Sequence, residues 1–72
     1  MTLDVRDMLC AQALALTDRT MKALPAGGVV AVQCNSQDVV RDVQVWAADR
    51  GHTVLSTEAR DEQIVVTLER AR

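Results

Sequence analysis

Apolar and polar positions along this chain switch between a two-residue period and one of about 3.6, so strands and helices can be told apart by eye. From Thr2 to Arg6 the residues alternate, with Leu3 and Val5 on one face and Asp4 and Arg6 on the other, which predicts a short strand. From Ala11 to Leu24 they are strong helix formers, and Leu14, Thr17, Met21 and Leu24 fall on one stripe. Pro25-Ala26-Gly27-Gly28 ends that helix and turns the chain. Val29 to Cys34 is a β-branched run with the length and composition of a central strand covered on at least one face. Asn35 and Ser36 are both good N-cap residues, and Asp38 falls in the first turn of the helix they open. Val39, Val40, Val43, Trp46 and Ala47 then recur at helical spacing, and Gly51 stands where a helix is closed by a left-handed residue. His52 to Glu58 predicts a third strand, Ala59-Arg60-Asp61-Glu62 a polar turn, and Gln63 to Glu69 a fourth strand with Ile64, Val66 and Leu68 on one face.

The order is β-α-β-α-β-β. Each helix has a single apolar stripe, so each covers a sheet from one side. The expected fold class is α/β (α+β): a two-layer sandwich, with one four-stranded mixed sheet and two helices on one face. The last two strands form a hairpin, and the first crossover is right-handed. With the first two strands parallel, their C-terminal ends share one sheet edge. That edge then collects Cys10, Cys34 and the start of the second helix.

At 72 residues the expectation is a single domain spanning 1–72. Its core draws on Val, Leu, Ala and Met, with no Phe or Tyr and one Trp. The net charge is −2 with acids and bases interleaved, so no basic stripe exists to displace counterions from a nucleic acid. No apolar run approaches bilayer length, which argues against a membrane. Met1-Thr2-Leu3-Asp4 shows neither a charged leader nor an apolar signal segment, which predicts a cytoplasmic protein. In that compartment two cysteines are expected as free thiols. Neither a CxxC pair nor a His/Cys cluster is present, so no zinc and no other cofactor is expected.

Cys10 is the candidate reactive atom. It stands where a strand has ended and a helical pattern begins, beside unpaired amides and the positive end of the helix dipole. That position favours a thiolate by roughly 0.3–1 kcal/mol, less than about one pKa unit. The plainer alternative is a small apolar residue covering the helix end. Cys34 shares a face with Val30 and Val32 and reads as a core cysteine; a role as resolving thiol for Cys10 would require it to point the other way. Asp4 and Arg6 form either a solvated strand pair or neighbours of the thiol. Arg19 and Lys22 lie off the apolar stripe, on a helix face of ordinary solvated kind, and Leu16 is off it too, as part of a docking patch or as an isolated exposed residue. Trp46 reads as core, and His52 as a turn or edge residue. Gly27-Gly28 follows a helix and precedes a strand, the wrong order for a phosphate loop.

Three segments together resemble the TusA/SirA-type sulfur-carrier family: Leu3-Asp4-x-Arg6-x-x-x-Cys10, Pro25-Ala26-Gly27, and Trp46-Ala47-x-x-x-Gly51-His52. The resemblance covers nearly the whole chain. It implies a βαβαββ sandwich and a persulfide carried on Cys10 and handed between proteins. The donors it implies are a cysteine desulfurase or a rhodanese-like transferase, and the acceptors are other sulfur-handling proteins. Met8, Leu9, Gln12 and Arg19 would then form the docking surface, with Asp4, Arg6 and Asp7 as the surroundings of the thiol. The family's Cys-Pro-x-Pro is Cys10-Ala11-Gln12-Ala13 here, and Asp7 stands where the family usually has glycine. Proline would pre-form the helix start, whereas alanine keeps the helix without that rigidity. A carboxylate at position 7, if near the sulfur, would raise its pKa. Two other functions stand beside the carrier: a non-catalytic binding or regulatory module on the same fold, and a Cys10/Cys34 redox switch.

Overall fold

A computed structural model describes residues 1–72 as β1 (Thr2–Asp4), α1 (Cys10–Ala23), β2 (Val29–Cys34), α2 (Gln37–Asp49), β3 (Thr53–Arg60) and β4 (Gln63–Glu69). The strand order is β1-β2-β4-β3. β1 runs parallel to β2 with Leu3 opposite Val32, β2 antiparallel to β4 with Val32 opposite Val66, and β3 antiparallel to β4. This is the expected two-layer α+β sandwich. The central strands, β2 and β4, are the β-branched run and the cleanly alternating run.

The core forms where the sheet meets the helices. Val30, Val32 and Cys34 of β2 and Val66 and Leu68 of β4 are fully buried, facing Ala13 and Met21 of α1 and Val43 and Ala47 of α2. Alternation sends Val29, Ala31 and Gln33 to the opposite sheet face. Thr17 is the single buried polar residue, and its hydroxyl donates to the Ala13 carbonyl at 2.7 Å, so its burial leaves no orphan group. With few large side chains available, tight packing depends on close approach. Ala13, 0 % exposed, brings the α1 backbone down onto the sheet.

Several details differ from the sequence expectations. β1 stops at Asp4 rather than Arg6, because Asp7 takes a left-handed φ of +64° and the Met8 N–H turns back to the Val5 carbonyl. The buried stripe of α1 is Ala13, Thr17 and Met21; Leu14 and Leu24 are half-buried at its flanks. Leu16 also packs against the core rather than standing free. Trp46 is half-buried, because valines and Ala47 already fill the space under α2. Its ring stacks on His52 at 5.5 Å and carries the Arg50 guanidinium at 5.7 Å. β3 reaches Arg60, which leaves only Asp61 and Glu62 as the hairpin turn, both at positive φ as a two-residue turn requires. A register shift between Val54 and Ser56 leaves Leu55 half in solvent.

Turn chemistry elsewhere follows the sequence. Gly51, at φ +78°, closes α2 with its N–H on the Ala48 carbonyl. At Gly28 a Cβ would lie 2.9 Å from the Pro25 carbonyl oxygen, so only glycine fits the bend. The last residues fold back in a way the pattern did not foretell. The Arg70 guanidinium donates to the carbonyls of Lys22 and Leu24 and so caps the C-terminal end of α1, and the Ala71 N–H donates to His52 Nδ1 at 2.9 Å. No helix is long and apolar enough to cross a membrane.

Candidate functional site

The site is built from the ends of two strands. β1 and β2 are parallel, so their C-terminal ends lie together, and α1 and α2 both start from that edge. Asn35 ties the two junctions to each other. Its side-chain carbonyl accepts the Asp7 N–H at 2.9 Å and its Nδ2 donates to Asp7 Oδ1 at 2.7 Å. Asn35 is therefore a brace rather than a cap, and Ser36 takes the N-cap position of α2. Asp is among the few non-glycine residues that tolerate the left-handed region, and the two bonds to Asn35 hold Asp7 there.

α1 begins at Cys10 itself. The N-cap, Leu9, is extended (ψ 153°) and has no side-chain acceptor. The first helical bond runs from the Ala13 N–H to the Leu9 carbonyl at 2.9 Å. Gln12 Oε1 takes the Leu9 N–H at 3.1 Å, which is one half of a capping box. The amides of Cys10, Ala11 and Gln12 are left without an intrachain acceptor. Three free donors at a helix start form an anion-favouring mouth.

Cys10 stands one turn before Ala13 at the head of the buried stripe Ala13, Thr17 and Met21, with Leu14 on its flank. Its thiol is half-buried and packs against the core rim. Met8 is half-buried beside it, whereas Leu9 is 72 % exposed and Gln12 lies in solvent. Arg19 does not join this group. Nine residues along α1 put it half a turn round and roughly 13 Å down the axis from Cys10.

The charges around the sulfur differ from those expected. The Cys10 thiol is pushed above its ordinary value, first by the Asp42 side chain, which offers the S–H an acceptor. Partial burial adds to this, as does the negative charge of Asp42 and of Asp38. The backbone amide pulls the other way and is the smallest influence. Asp4, Arg6 and Asp7 are not among the groups that shift it. Arg6 instead grips Asp4 through Nη2 at 2.9 Å and Nε at 3.0 Å, holding that carboxyl down at about 2. All three line a separate polar cleft with Asn35, Asp61, Glu62 and Gln63. The sequence did carry a signal for the acids of α2. Parallel strands put both helix starts on one edge, so an acid in the first turns of α2 lies beside the mouth of α1.

Cys34 is the opposite case. It is 0 % exposed at the end of β2, its Sγ lies 3.8 Å from the Val32 carbonyl, and burial alone pushes its thiol up to about 11. Both cysteines are free, and a bridge between them would require the core to open.

Comparison with known proteins agrees with the fold and the family resemblance. The family model described as Sulfurtransferase TusA matches residues 1–70. Two relatives bear the name "putative sulfur carrier protein". YrkF of Bacillus subtilis is 33 % identical over 60 residues, covering 83 % of this chain and 32 % of that protein. A protein of Aquifex aeolicus is 27 % identical over 70 residues, covering 97 % and 36 %. The chain thus spans about a third of the length of these relatives. Among solved structures, a SirA-like protein from Desulfitobacterium hafniense superposes with a TM-score of 0.86 at 22 % identity, covering 99 % of this chain and 97 % of that one.

Proposed function

The chain belongs to the Sulfurtransferase TusA family, and on that premise we propose that it is a sulfur carrier whose Cys10 holds sulfane sulfur as a persulfide and relays it between proteins. The observation that carries this reading is a half-buried thiol at the first residue of α1, a helix start whose first three amides nothing in the chain caps. Two relatives named for sulfur carriage support it.

The chemistry needs little machinery. The Cys10 thiolate attacks the outer sulfur of a donor protein's persulfide. The donor's S–S bond breaks, its cysteine leaves as a thiolate, and Cys10 becomes Cys10–S–SH. A nucleophile on the acceptor then takes the outer sulfur and Cys10 leaves as the thiolate. When that nucleophile is a thiolate, no net oxidation accompanies either step. The free amides stabilise the anion present before and after each transfer. A cysteine desulfurase or rhodanese-like transferase fits the donor role, and the reducing cytoplasm is the compartment in which Cys10 stays available. Met8, Leu9 and Gln12 lie next to Cys10 along the chain and would meet the partner first.

Mass spectrometry after incubation with a persulfide-charged cysteine desulfurase tests the assignment. The native protein and Cys34→Ser gain one sulfur atom, while Cys10→Ser gains none. Equal loading of Cys10→Ser and the native protein overturns it. A second reading draws on the Asp42 carboxylate, which shifts the Cys10 thiol upward and disfavours its thiolate. In that reading the protein is a binding or regulatory module. It requires that even a charged donor leave native Cys10 unloaded.

A further inference from the structure

A groove of about 350 Å³ runs between the helices, with Leu14 on one wall and Arg41, Asp42, Val45, Trp46 and Asp49 on the other. It opens one helical turn from Cys10, since Leu14 follows Cys10 by four residues along α1. Its floor is apolar, and Val45 is 55 % exposed there with no side chain covering it. Its charges are lopsided. Arg41 is engaged by Asp38 at 2.8 Å, and Asp18 by Lys22 and Arg50, but Asp42 and Asp49 have no ion-pair partner. Seven residues separate them, so they lie on one face of α2 roughly 10.5 Å apart along its axis. An apolar floor between two unpaired carboxylates at a heptad spacing is the complement of a helix with cations at i and i+7 and apolar residues between them.

We propose that this groove seats a basic amphipathic helix of the sulfur-exchange partner, with cations on Asp42 and Asp49 and an apolar side chain against Leu14, Val45 and Trp46. The proposal rests on the carrier reading of Cys10. It also gives the acid beside the thiol a purpose. In the free protein the Asp42 carboxylate pushes the Cys10 thiol above its ordinary value and so disfavours the thiolate. A partner cation on Asp42 takes away both the acceptor and the like charge, so the sulfur becomes a nucleophile when the partner is seated.

Trp46 is the only tryptophan and reports on the groove directly. The probe is a synthetic 18-residue helical peptide with Arg at positions 5 and 12 and Leu at 8 and 9, titrated into the full chain at low salt. Trp46 emission should shift and saturate, and the affinity should fall as salt is raised. Asp42→Asn/Asp49→Asn should bind at least about 5-fold more weakly, as expected for losing surface ion pairs worth up to about 1 kcal/mol each. A control peptide with Glu in place of both Arg should not bind. Alkylation of Cys10 by iodoacetamide at neutral pH should speed up with the Arg peptide in the native protein and not in Asp42→Asn. An unmoved Trp46 spectrum at millimolar peptide, or equal affinity for the double variant, overturns the proposal. The two readings fail separately. A protein that loads sulfur yet ignores the peptide sinks the groove alone, and one that binds the peptide yet never loads sulfur sinks the carrier.

Discussion

The two cysteines sit in the same fold and both thiols are shifted upward, yet for opposite kinds of reason. At the β2 end the cause is burial, a property of the whole core, and nothing that touches the surface can relieve it. At the α1 mouth the first cause is a single carboxylate on a neighbouring helix, with much of the site open to solvent. A thiol silenced by burial is silent as long as the protein is folded. A thiol silenced by one side chain can be released by any group that pairs with that side chain. The same shift in direction therefore has a structural cause in one place and, on the proposed reading, a relievable one in the other.

The sharpest way to break this contrast is to weaken the core and watch each thiol. In the folded native protein, Cys34 should be labelled by alkylating reagents on the order of 10³-fold more slowly than Cys10 or less, because access waits on opening a domain stable by roughly 5 kcal/mol. Leu68, fully buried opposite Val30, is the lever. Leu68→Ala should cost about 2–5 kcal/mol in urea denaturation and erase most of the Cys34 protection. Cys10 labelling per folded molecule should stay within about two-fold, as expected for a site whose access does not wait on unfolding. Parallel acceleration at both cysteines would mean that Cys10 too is reached only through opening.

The fold was legible because this chain obeys period rules nearly everywhere, and the two central strands carry the clearest patterns. The exceptions have local causes. β1 ends early because one residue, Asp7, adopts φ +64°, and a strand pattern does not encode that turn. Helical spacing points Trp46 into the core, but the space beneath α2 is filled by valines and Ala47. The position of Cys10 could be read from the junction, because a strand end followed by a helix start fixes it. Its electrostatics could not, since Asp42 is 32 residues away and reaches the sulfur only because two helix starts share one sheet edge. The Arg70 cap and the His52 bond to Ala71 are equally remote pairings.

Alkaline titration separates the two causes with a moderate effect. Cys34 has a folded value near 11 against an ordinary 9.0. Its folded pKa is the higher one, so the folded state holds on to the proton. The stability this confers is fully present below about pH 9 and is lost as pH climbs toward 11. The urea midpoint should fall across that window, and Cys34→Ala should flatten the fall after accounting for its own baseline loss. Asp42→Asn should leave that slope in place and instead move the midpoint of the Cys10 alkylation rate to lower pH, since the like charge goes and the new amide can donate to a thiolate. If Asp42→Asn leaves the Cys10 midpoint unmoved, burial alone governs both thiols and the contrast disappears.

The smallest effect concerns the residue after the thiol. The Ala11 amide is one of the three left without an acceptor at the start of α1. Replacing it by proline removes no hydrogen bond and restricts mainly the unfolded chain, so Ala11→Pro should stabilise by about 0.4–1 kcal/mol. The Ala13 amide bonds to the Leu9 carbonyl at 2.9 Å and its side chain is sealed against the sheet, so Ala13→Pro should lose roughly 3 kcal/mol instead. Neither change touches Asp42. Ala11→Pro, which leaves the helix intact but removes one of the three free amides, should raise the urea midpoint without lowering the pH midpoint of Cys10 alkylation. A midpoint that fell with Ala11→Pro would assign the control of the sulfur to the stiffness of the helix start rather than to the carboxylate across from it.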